Sequence, residues 1–132
     1  MNPKYISLHL AQIIHKMGYD KYSPEQYVTL DDNKLGHCNL TLENCAFIEL
    51  TTNHKFIYVP TIYETINWIN SVEPGWNVSV LWDKALKGYH FIVQNINTGY
   101  EYIQPTTPDE NNRTKMYEWG IEHILNRINI NN

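Results

Sequence analysis

Residues 76–83, WNVSVLWD, alternate apolar and polar side chains at a strict period of two. That is the signature of a strand with one buried face. Trp76, Val78, Val80 and Trp82 point one way, and Asn77, Ser79 and Asp83 the other. A KALKG turn leads to a second strand, YHFIVQNI, and an NTG turn leads to a third, YEYIQ. Links this short admit only antiparallel pairing, because a parallel crossover needs a dozen residues or more. On the paired face Tyr89, Phe91 and Val93 join Tyr100 and Tyr102. Such a meander is stable only if helices cover its apolar face.

The flanking sequence supplies those helices. Residues 4–18 place Ile6, Leu10, Ile13 and Met17 on one stripe, with Gly18 as a C-cap. In YVPTIYETINWIN, residues 58–70, Pro60 ends a strand and Thr61 and Glu64 form a T-x-x-E capping box. Ile62, Ile66, Ile69 and Val72 then fall on one face, and Pro74-Gly75 stops the helix. Thr107, Pro108 and Glu110 predict a second cap before a last helix whose buried stripe is Tyr117, Ile121, Ile124, Leu125 and Ile128. Gly120 interrupts that helix at a cost of about 1 kcal/mol against Ala, which a close approach to a neighbouring element explains. Between the first two helices, YVTL precedes the turn DDNKLG, and CAFIEL and KFIYV flank TTNH as a hairpin.

The expected fold class is α+β: a single curved antiparallel sheet, built from the hairpin and the meander, with about three helices mainly on one face. The order is α-β-β-α-β-β-β-α. The 132 residues fit one domain, 1–132, with 129–132 a frayed tail. A chain of this length buries roughly two thirds of its unfolded surface, enough for a core without metals or disulfides.

Composition removes several function classes. The net charge is −4, and no lysine or arginine block appears. That argues against nucleic acid and against a membrane surface, both of which select basic patches. No apolar run approaches the ~20 residues needed to span a bilayer. The first dozen residues lack a secretory apolar core, and there are only two cysteines, Cys38 and Cys45. Both features predict a reduced, cytoplasmic setting. The chain is rich in Asn, Ile, Tyr and Lys, the residues of AT-rich codons.

No chemical motif stands out. HCNLTLENC sets His37 and Cys38 near Cys45, but C-x6-C is not a zinc spacing and no second pair follows. The six histidines are His9, His15, His37, His54, His90 and His123, none in H-E-x-x-H. A trio of His90, Cys38 and Asp83 is one that almost any chain offers. Gly-rich phosphate loops and the nucleophile elbow are absent. Asp31-Asp32 fits a turn, and Asp109-Glu110 fits a helix start. The expectation is no catalytic set, no metal and no cofactor.

The anomaly is aromatic: four Trp and ten Tyr. Most fall on core faces. Trp68 lies about 90° from the centre of its helix stripe at ~100° per residue, Tyr63 lies off the other side, and Trp119 flanks the last stripe. Aromatic residues at such edges either cover the core rim or form an interface.

The layout built on Tyr58, Pro60, Thr61 and Trp68, followed by an aromatic meander and a closing helix, resembles small uncharacterised proteins encoded by gut Bacteroidota and their phages. The layout covers most of the chain; residues 20–55 carry no matching signature. The resemblance implies an accessory protein of phage or mobile-element origin in a bacterial host cell, and it brings no catalytic residue.

Three functions remain open. The first is a non-enzymatic interaction protein that binds a protein partner or itself through Tyr63, Trp68 or Trp119. The second binds or sequesters a small molecule such as a nucleotide, stacked on Tyr or Trp and held at a helix N-terminus. The third is a small hydrolase using His90 or His37.

Overall fold

The structure is a computed structural model and describes residues 5–19, 21, 26–29, 35–38, 40–105 and 112–131. The expected DDNK turn at 31–34 and the cap at Thr107, Pro108 and Glu110 lie outside the described residues. The class is α+β, as the period-two and period-3.6 patterns require. The chain divides into two compact units, residues 1–61 and 62–132. Among the described residues, no helix is long and apolar enough to cross a membrane.

The first unit holds α1 (Leu8–Lys16), β1 (Gln26–Thr29), β2 (Leu35–Cys38), α2 (Leu42–Thr51) and β3 (Phe56–Tyr58). β1 is the central strand, antiparallel to β2 on one side and to β3 on the other. Ser7 caps α1, its hydroxyl accepting from the Leu10 N–H. At the other end Gly18 takes φ +108°, the Gly18 N–H donates to His15 O and the Tyr19 N–H to Ile14 O. Those two bonds are a Schellman closure, so the predicted glycine cap holds. The buried face is Ile6, Leu10, Ala11 and Ile14, with Ile13 and Met17 only half-buried. It is turned by about one residue from the expected stripe, and a small side chain, Ala11, sits at its centre.

Two expectations for this region are corrected. CAFIEL is helical, within α2, and not a strand of a hairpin. Thr41 starts that helix by accepting from the Asn44 N–H, and Glu43 occupies its first turn, where the helix dipole favours it. The apolar residues of α2 lie all round the helix: Cys45 is buried while Phe47 and Leu50 are exposed. Among the described residues the strands also form two three-stranded sheets, not one, and four helices accompany them. β3 ends before Pro60, and its partner is β1.

The second unit holds α3 (Ile62–Val72), β4 (Trp76–Asp83), β5 (Gly88–Asn95), β6 (Tyr100–Ile103) and α4 (Arg113–Asn131). The strands form the predicted antiparallel meander, β4-β5-β6. Val78 pairs with Val93, which pairs with Tyr102. Trp76, Val78, Val80, Phe91 and Val93 are buried on one face. Trp82, expected on that face, is half-exposed at the hairpin end, where its ring meets Tyr89 edge-on at 4.8 Å. α4 buries Met116, Ile121, Ile124, Leu125 and Ile128, with Tyr117 at the margin. Its backbone is helical as far as Asn131.

Two asparagines fix the turn from α3 into β4. Asn70 Oδ1 accepts from the Gly75 and Trp76 N–H groups at 2.9 Å, and its Nδ2 donates to Ile66 O and Trp76 O at 3.0 Å. Asn95, almost fully buried, donates to Pro74 O and accepts from the Asn97 and Thr98 N–H groups. Gly75 has φ +105°, and a Cβ there would lie 2.7 Å from Asn95 Oδ1, so only glycine fits.

Gly120 answers the question its helix position raised. A Cβ on it would lie 2.6 Å from Val78 Cγ1 and 3.5 Å from Phe91 Cδ2. The missing side chain lets α4 lie directly on β4 and β5.

Gly120→Ala should therefore lower stability by about 1–3 kcal/mol in urea unfolding, the clash outweighing the ~1 kcal/mol helix gain. Adding Val78→Ala should recover part of the Gly120→Ala loss in a double-mutant cycle; strict additivity would show that the close approach is not the cause. Asn70→Ala leaves the Gly75 and Trp76 N–H groups without their side-chain acceptor and should cost about 2–3 kcal/mol in the same assay. A loss within the noise of an exposed substitution would contradict the role given to Asn70.

Candidate functional site

In the second unit, β6 and α4 bring one set of side chains together. Strand alternation puts Tyr100 and Tyr102 on the same face, opposite Asn95 and Val93. On α4, Trp119, His123 and Arg127 follow at intervals of four and so share one stripe. Tyr100 Oη and His123 Nε2 are 2.7 Å apart. The His123 ring stacks on Tyr102, with centroids 4.3 Å apart and planes 17° from parallel. The Arg127 guanidinium lies 3.7 Å from the centre of the Tyr100 ring, which also takes the Trp76 ring edge-on at 5.8 Å. Phe91 packs against both Tyr102 and His123 from the core.

Burial, and then the charge of Arg127, hold the His123 pKa below the ordinary histidine value. The ring is therefore neutral at neutral pH, and either neutral tautomer satisfies the bond to Tyr100. α4 uses its other rings in the same manner: Lys115 Nζ lies 5.0 Å from the centre of the Trp119 ring, and Arg113 stands over Tyr117 at 5.7 Å.

Beside the cluster is an open depression of about 300 Å³, lined by Tyr102, Gln104, Trp119, Glu122, His123 and Asn126 over buried Phe91. Gln104 Oε1 is buried without a hydrogen-bond partner, as are Arg127 Nε and Trp76 Nε1. A larger groove of about 740 Å³ lies in the first unit, lined in part by His15, Glu49, Leu50, His54, Lys55 and Phe56. Some of its polar groups serve the local fold. Glu49 Oε1 accepts from the Phe56 N–H, and the Thr52 hydroxyl donates to Ile48 O and accepts from the His54 N–H. The smaller site carries the perturbed histidine and the orphaned carbonyl, two features that mark functional positions more often than size does.

The three residues singled out from the sequence separate. Trp119 lines the depression. Tyr63 is 74% exposed on α3 and lines neither cavity. Trp68 is corrected: it is 9% exposed and belongs to the core. α3 is rolled so that Thr65, Trp68 and Ile69 face inward, Ile62 and Ile66 are half-buried and Val72 is exposed. An indole removes more apolar area from water than any isoleucine, so it claims the buried face. His90 and Asp83 lie on β5 and β4, and Asp83 Oδ1 accepts from the Leu86 N–H within the hairpin turn. Cys38 lies on β2 in the other unit; Cys38 and Cys45 are not joined in a disulfide. Among the described residues, no three His, Cys, Asp or Glu side chains are arranged to hold a metal.

Sequence reasoning missed His123 and Arg127 and read Tyr100 and Tyr102 as core alone. The spacing of Trp119, His123 and Arg127 was the available signal.

Since folding depresses the His123 pKa, the unfolded chain takes up that proton first as pH falls. The stability involved is intact above the ordinary value of 6.5 and drains away as pH drops below it, through the folded value. The urea midpoint should fall between about pH 7.5 and pH 5.5, and fall less in His123→Gln. An NMR titration placing His123 at or above a free histidine would contradict this. Compared with known proteins, the chain matches no family model, no curated protein and no solved structure.

Proposed function

We propose that the chain is a non-enzymatic interaction protein, an accessory factor of phage or mobile-element origin working in the bacterial cytoplasm, and that it meets a protein partner at Tyr102 and Trp119. The origin rests on the resemblance carried by Tyr58, Pro60, Thr61 and Trp68. The interaction reading rests on one observation: an open aromatic depression above a pre-organised cluster. Interface hot spots favour Trp, Tyr and Arg held in fixed rotamers, because little side-chain entropy is then lost on binding. Tyr102 is held by the His123 stack and by Phe91. A small-molecule pocket encloses most of its ligand's surface, whereas this depression is open. Tyr63, exposed on α3, offers a second contact point.

The test is affinity capture from host-cell extract, with sedimentation to detect self-association. Trp119→Ala and Tyr102→Ala should each abolish the captured partner or the self-association while the far-UV circular dichroism spectrum shows the fold retained. Binding that survives both substitutions but is lost in Tyr63→Ala would move the interface to α3 and overturn this assignment.

A further inference from the structure

We infer that the free edge of β4 pairs antiparallel with β4 of a second copy of this chain, joining the two β4-β5-β6 sheets into one. In the β4–β5 ladder the Ile96 N–H donates to Gly75 O, so by alternation Asn77, Ser79 and Leu81 turn their backbone groups toward β5. Trp76, Val78, Val80 and Trp82 turn theirs outward. Those of Trp76 are taken by the Asn70 amide. Among the described residues, the outward N–H and C=O groups of Val78, Val80 and Trp82 have no hydrogen-bond partner. Proteins that stay monomeric guard such an edge with lysine, proline, a bulge or short length. β6, the opposite edge, is short and carries Glu101, and Pro105 follows it. β4 has eight residues, no proline or lysine, and its one charge, Asp83, at the end. Its register with β5 is unbroken from Trp76 to Asp83, so no bulge turns the edge away. Under a two-fold axis, residues with outward groups must face one another. With Trp76 engaged by Asn70, one register pairs every remaining group: Val80 opposite Val80, and Val78 opposite Trp82. A two-residue shift either way sets one of them against the engaged Trp76 or against the turn residue Lys84. In that register Leu81 faces Ser79 of the second copy and Asp83 faces Asn77, so no like charges meet. Leu81 and Trp82, the large apolar side chains exposed on this strand, each gain a cross-strand neighbour. Tyr102 lies on β6, the opposite edge strand, so this pairing is separate from the surface assigned above.

The test is amide hydrogen exchange of the full chain, with sedimentation equilibrium, over about a hundredfold range of concentration. The Val78, Val80 and Trp82 amides should exchange at least about tenfold more slowly at the top of that range than at the bottom. Those of Asn77, Ser79 and Leu81, bonded to β5, should be slow throughout. Leu81→Lys places two lysines on one diagonal across the axis, and Ser79→Glu two glutamates. Each should weaken the dimer by about threefold or more, with the circular dichroism spectrum unchanged. Mixed in equal parts, the two variants set the new lysine opposite the new glutamate and should associate more tightly than either alone. A monomer at every concentration, Val80 exchange independent of concentration, or a mixture no tighter than its parts would overturn the inference. So would protection that appears only when host-cell extract is added, which assigns the edge to a foreign strand. Trp119→Ala, which removes partner capture, should leave this dimer intact; loss of the dimer in that variant would place self-association at the depression and overturn the pairing.

Discussion

The second unit depends on the way two asparagine side chains hold one turn. Pro74-Gly75 must end α3, reverse the chain and start β4 within a few residues, and the Gly75 and Trp76 N–H groups there take a side-chain acceptor. Asn70 serves both sides of the turn, and Asn95 reaches it from the end of β5. A buried amide offers two donors and an acceptor, which is what a turn with both orphaned N–H and C=O groups needs. The register of β4 follows from where this turn is anchored, and so does the inward set of Trp76, Val78 and Val80. A one-residue slip would put all three in water.

With that register set, Gly120 determines how near α4 lies. Because the helix rests on Val78 without an intervening Cβ, its stripe of Trp119, His123 and Arg127 comes within reach of β6. The cluster is thus a product of packing at a position with no side chain. Removing bulk at one point on α4 brings a histidine to a tyrosine hydroxyl one turn further on.

How much of this was legible varied with the strength of each pattern. The meander was readable because a period of two and short turns leave one pairing scheme. Gly120 was readable as a close approach, though not which strand it met. α2 was not, because the apolar residues of 45–50, interrupted only by Glu49, follow no period and Thr41 is a cap followed by Asn44 instead of Glu. The face of α3 was misread because the isoleucines were weighted by their spacing, while burial follows area and brings Trp68 inward. Trp119 was legible as an edge aromatic. Its neighbours Tyr102 and Gln104 come from another element, and no spacing within α4 announces them.

The Tyr100–His123–Arg127 arrangement also joins occupancy to acidity. His123 resists protonation because it is partly buried and faces Arg127. A partner that covers the ring would deepen the first of these causes. Binding then expels whatever fraction of a proton the ring still carries, and by thermodynamic reciprocity acid weakens the complex by the same factor. Association measured in mildly acidic buffer would for that reason release protons into solution, even though no proton is transferred between the two molecules.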